Sequence, residues 1–108
     1  MIVVRRTFTN DIQNALAGTE LASMPGAGKL TIYCASTASD TNITIFQAGQ
    51  MVVYNRPVQQ RTGGTIDAMS DTPYELTVEP GQVITIDIDV QTAAQGTLEV
   101  IFEDLSEI

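Results

Sequence analysis

The residues with the most obvious chemistry are three acids near the C-terminal end, Asp87, Asp89 and Glu99. Asp87 and Asp89 alternate with Ile86, Ile88 and Val90, so both carboxylates project from one face of an extended segment. Pairing 82–90 with 96–103 so that Ile88 meets Leu98, Ile86 meets Val100 and Ile84 meets Phe102 puts Glu99 opposite Asp87 on the outer face. It also leaves Gln91 to Gln95 as the connecting loop. A one-residue slip would bury acids, so the apolar alternation specifies this register. Like charges facing across strands repel. Two readings follow: a solvated acidic face, or a surface for a cation or a basic partner. Ca²⁺ is the ion that carboxylates suit, but it takes roughly 6–8 oxygens, mostly from loops. No metal or other cofactor is therefore expected.

Other reactive groups lack partners. The chain has one Cys and no His among 108 residues. That excludes a Ser-His-Asp triad, a Cys-His pair, imidazole ligation and an intrachain disulfide. Cys34 falls in phase with Leu30 and Ile32, where a thiol behaves as a small hydrophobe. Ser23 to Thr31 (SMPGAGKLT) resembles a phosphate loop, but Ser23 stands where that motif needs Gly and Leu30 where it needs Ser or Thr. The following LTIYCAS alternates as a strand, whereas the loop must open a helix. Pro25 to Gly28 reads as a tight turn. No catalytic residue is expected. Five Lys and Arg against 13 Asp and Glu give a formal charge of -8, which argues against nucleic acid.

These groups must be carried by strands. Thr, Val and Ile recur with period two between Gly, Pro, Asn and Asp. Strands are expected near 2–9, 18–23, 29–37, 42–47, 50–55, 74–79, 82–90 and 96–103, with one helical turn over Asp11 to Ala17. The fold expected is a single all-β domain over 1–108, an antiparallel β-sandwich or jelly-roll-like fold of about eight strands. The apolar run Met1 to Val4 is shorter than the ~7–15 residues of a signal-peptide core, and no stretch reaches the ~18 of a membrane span. A protein made in a cytoplasm and not membrane-bound is the expectation.

The hairpin around Ala48-Gly49 carries the strongest hint of function. Pairing Phe46 with Met51 groups Phe46, Met51, Val53 and Thr44 on one face, and Ile43, Ile45, Val52 and Tyr54 on the other. Both faces are substantially apolar, whereas a small sandwich wets one face of each sheet. Either 56–70 or the N-terminal arm covers the surplus face, or another subunit does. In the second case Phe46, Met51 and Val53 are interface anchors. Arg5, Arg6 and Arg56, too few for nucleic acid, are expected as ion-pair partners across such an interface.

The order IVVRRTFT, PGAGKLTIYCAST, ASDTN, QAGQ and PGQVITIDIDVQTAAQGTLEVIFEDL is similar to small all-β virion proteins of tailed bacteriophages, in particular head decoration or cement proteins. The resemblance implies a β-sandwich that binds the outside of a capsid lattice, made in the host cytoplasm. Its partners would be the major capsid protein and copies of itself, often as a trimer. A non-enzymatic binding module of a tail or fibre is the alternative. There Tyr33, Tyr54 and Tyr74 would be the candidate sugar-stacking rings.

Overall fold

Each run in which branched apolar residues alternate with polar ones becomes a strand. The structure, a computed structural model, describes residues 1–67 and 71–107. Its strands are β1 (Ile2–Phe8), β2 (Gly28–Ser36), β3 (Thr41–Gln47), β4 (Gln50–Pro57), β5 (Gln59–Gln60), β6 (Tyr74–Val78), β7 (Ile84–Val90) and β8 (Gly96–Asp104). They form two facing sheets. The first runs β1-β8-β2, with β6 and β5 sharing the far side of β2; the second runs β4-β3-β7. Every pairing is antiparallel except the short β2–β5 contact at Ala35 and Ser36, which is parallel. The fold is an all-β, sandwich-like architecture, as the alternation requires.

The core lies between the sheets. Leu30, Ile32, Leu98, Val100 and Phe102 from the first meet Ile43, Ile45, Ile84, Ile86 and Ile88 from the second, all buried. Each such side chain contributes roughly 1.5–3 kcal/mol. β7 and β8 do not form the expected hairpin. β7 pairs with β3, while β8 inserts between β1 and β2. Gln91 to Gln95 thus cross from one sheet to the other, and Ile86 and Val100 belong to opposite walls of the core. The inward faces are those the alternation demands; the partner strands differ, because a crossing loop and a hairpin loop leave the same alternation.

The chain between β1 and β2 forms turns. It has neither the helical turn expected over Asp11 to Ala17 nor the strand expected over 18–23. Left-handed Asn14 and Gly18, with φ of 51 and 76, break any regular run. The segment nevertheless buries Ala15, Leu16, Leu21 and Met24. It is pinned by a bridge between Ile12 and Ile88.

The chain after β5 makes a 3-10 turn at Thr62–Gly64, packed near β2 and β8 rather than over the β3–β4 hairpin. Gly64, at φ 65, sits where a Cβ would lie 2.2 Å from the Gln95 carbonyl oxygen. Only glycine permits that approach. The Arg61 guanidinium binds the buried Asp71 carboxylate, whose other oxygen accepts from the Asp67 N–H at 2.9 Å. The rest of the cover expected from 56–70, residues 68–70, lies outside the described residues.

Candidate functional site: open edges and an apolar flank

β3 and β4 turn through Ala48 and Gly49, both with positive φ, the pattern of a tight two-residue hairpin. Phe46 pairs with Met51 as the sequence demands. Beyond that pair the register slips. Ile45 stands opposite Val53, so Val52 is an extra residue on β4, and Ile43 stands opposite Arg56. A second irregularity falls at Asn55, which has φ of 48 and donates its N–H to the Thr44 hydroxyl at 3.0 Å. A slip of one residue exchanges faces. Val53 is therefore corrected from the outer to the inner face, where it packs against the core beside Ile45. Val52 and Tyr54 do not join Ile43 and Ile45. They stand exposed with Met51, at 43%, 69% and 47%. Phe46 is half-buried.

The basic anchors separate. Arg5 lies on the outer face of the first sheet, 3.7 Å from Glu99. Arg6 lies on its inner face, opposite Leu98, and donates from Nη1 to the Ala15 carbonyl at 2.9 Å. Arg56 is on β4 in the second sheet. No single surface holds Phe46, Met51, Arg5, Arg6 and Arg56 together.

The acids separate as well, correcting the expected facing of Asp87 and Glu99. Asp87 stands opposite Thr44 and accepts the Asn14 N–H at 2.9 Å. Asp89 accepts from the Gln91 amide at 2.5 Å. Glu99 is on the other sheet, between Arg5 and Tyr33. Among the described residues no cluster of acids or thiols is arranged to hold a metal. Cys34 faces inward opposite Leu98, and burial pushes its thiol up to about 12.

The tyrosines point apart. Tyr33 is on the outer face of the first sheet and Tyr54 on β4. Tyr74 stands opposite Ile32 and so turns inward, where burial raises its phenol, partly offset by nearby Arg56. A cleft of about 440 Å³ opens between the end of β1 and the 3-10 turn. Thr7, Thr9, Thr65 and Thr97 contribute to its neutral lining.

The strand edges are less evident from sequence. Thr37 donates to the Gln95 carbonyl and Leu105 to the Ala27 carbonyl, each bond extending the β2–β8 ladder by one pair. In an antiparallel ladder, bonded pairs recur every second residue. Odd-numbered β8 residues therefore aim their backbone at β2, and even-numbered ones aim at β1. Ile2, Val4 and Arg6 then bond β8, while Val3, Arg5 and Thr7 turn their N–H and C=O groups outward. By the same alternation Glu75 and Thr77 of β6 turn outward, and the Thr77 carbonyl accepts from the Gln47 amide at 2.8 Å.

The second sheet is guarded differently. The β7 edge is closed by the chain's own backbone: Ile12 and Ile88 exchange bonds, and Ala15 donates to Ile86 at 2.9 Å. Asp11 accepts the Val90 N–H at 2.7 Å. The β4 edge is broken by its two irregularities. Bulges and covered edges are the usual guards against strand addition. β1 has neither.

Comparison with known proteins finds no matching family model, no matching curated protein and no matching solved structure.

Proposed function

We propose that this chain is a non-enzymatic structural protein of a virus particle, a decoration or cement protein that associates with copies of itself and clamps the outside of a tailed-phage head. The observation that carries the reading is the uncovered apolar stretch of β4, Met51, Val52 and Tyr54, with Phe46 beside it. Exposed aromatic and Met side chains of this kind anchor protein interfaces. The resemblance in element order supplies the partner, the major capsid protein, and favours a trimer. An acidic exterior keeps such a protein soluble and off nucleic acid. Binding only to the assembled lattice stabilises it by mass action, many copies each contributing modestly. The separation of Tyr33, Tyr54 and Tyr74 gives a sugar-stacking role no support.

Cryo-microscopy and mass spectrometry of purified particles test the reading. The expected result is density for the chain on the capsid exterior, and saturable binding to stripped heads that weakens when Met51→Asp and Tyr54→Asp are combined. Absence of the chain from mature particles refutes it.

A further inference from the structure

We infer that copies of this chain join head to tail by strand addition, β1 of one copy pairing antiparallel with β6 of the next, in the register that sets Arg5 against Glu75. The inference rests on the reading that the chain works by associating with itself, and it names the surfaces that do so.

Both strands are outer strands of the first sheet, at opposite ends of its order. β1, β8, β2 and β6 alternate in direction, each antiparallel to the next. A second copy in the same orientation therefore brings its β6 against β1 in antiparallel sense. The sheet then continues from copy to copy with no change of pattern. Such a heterologous contact closes into a ring or runs on as a filament, depending on the rotation per copy.

The outward-turned groups match in phase. Val3 and Arg5 turn their N–H and C=O outward on β1, as Thr77 and Glu75 do on β6. With Arg5 opposite Glu75, Val3 falls opposite Thr77, and each pair exchanges two backbone bonds. Glu75 has its other edge neighbour in Lys29, 3.9 Å away, and Arg5 has Glu99, so the contact interleaves charges of alternating sign. The Gln47 amide, which occupies the Thr77 carbonyl, shares that oxygen, since a carbonyl has two lone pairs.

Side-chain phases agree too. Arg5 and Glu75 both lie on the outer face, because Arg5 pairs with Glu99 and Glu75 with Thr31. On the inner face this register sets Val4 against Leu76, both half-buried and packed at the margin of their own core. Ile2 meets Val78, and the Arg6 guanidinium meets the Tyr74 ring, a cation over an aromatic face. Moving the register two residues either way loses this match: Arg5 then faces Thr77 or Pro73, and Val3 faces Glu79 or Glu75. Pairing β1 with a second β1 is disfavoured by the four arginines it would crowd together.

Sedimentation velocity and native mass spectrometry of the full chain over a concentration series test the inference. The expected result is reversible self-association. Arg5→Glu and Glu75→Arg should each raise the concentration for half-association about tenfold or more, since each places like charges opposite. Combining both substitutions in one chain, or mixing the two single variants, should restore it; a folding defect would not be cured by mixing. A wild type that stays monomeric throughout overturns the inference, as do single reversals without effect or a failure of both rescues. A monomeric chain that is nevertheless found on particles overturns the edge pairing and leaves the shell-binding reading standing. Rescued self-association of a chain absent from particles does the reverse.

Discussion

Cys34 gives a quantitative test of the inward face of β2. Burial raises its thiol from 9.0 to about 12. At pH 8 the thiolate share falls from about one in ten to about one in 10⁴, a thousandfold loss of the reactive form. A more basic thiolate is a better nucleophile, with a Brønsted slope of ~0.4–0.5, which returns about twentyfold over three pH units. The two effects leave folded Cys34 about 50-fold slower than unfolded Cys34 toward an aromatic disulfide reagent. Some of the residue's surface remains in contact with solvent, which makes this figure an upper value. The stability linkage has a definite sign. A thiol raised in the folded state contributes stability that is complete below the unfolded value of 9.0 and lost as pH climbs toward about 12. Between pH 8 and pH 10.5 the wild type should lose about 2 kcal/mol more than Cys34→Ala, at about 1.4 kcal/mol per pH unit above 9. Stopped-flow labelling in buffer and in urea, with urea melts of both proteins at the two pH values, measures this. Equal labelling rates, or parallel pH slopes, would refute the inward placement.

Two further outcomes test the packing that positions the edges. Leu21 is fully buried although its segment has no regular structure. Leu21→Ala should cost about 2–5 kcal/mol in urea unfolding, as a core leucine does; a loss below about 1 kcal/mol would mean that residues 11–24 merely drape over the sandwich. At Gly28 a Cβ would lie 2.1 Å from the Glu103 carbonyl oxygen, inside the ladder between β2 and β8. Gly28→Ala should therefore cost about 1–3 kcal/mol or more in thermal melts, because backbone must move; an unchanged melting temperature would refute that approach.

Alternation made much of this fold legible. It identified Ile84, Ile86, Ile88, Leu98, Val100 and Phe102 as inward, and the Ala48-Gly49 turn with its Phe46–Met51 pair, all of which hold. It did not identify partners. A strand that continues into a hairpin and one that crosses to the facing sheet bury the same side chains, so β7 and β8 read alike in either arrangement. Bulges were also invisible, since nothing in QMVVYNRP marks Val52 as the extra residue; Asn55, a residue that tolerates positive φ, was the one available signal. The turns over 11–24 bury their leucines without a period to announce it. Candidate site residues fared accordingly. Met51 is exposed as an uncovered face requires, Val53 is not, and the acids fall on different sheets because their expected pairing does not form. Glu75 carries no signal in the sequence because its importance depends on an edge, and edges exist only once strand order is known.

The place of β8 between β1 and β2 governs how the molecule is made. Both of those strands await a partner that leaves the ribosome only after residues 37–95 have been synthesised. Until then β1 has no partner strand, β2 has only β5 and β6, and the greasy interior stays unclosed. β1 can join the first sheet only once β8 has been made, through contacts distant along the chain, which is a slow route. Holding chaperones would find their substrate in that interval, and a truncation before β8 should yield inclusion bodies rather than a smaller soluble unit.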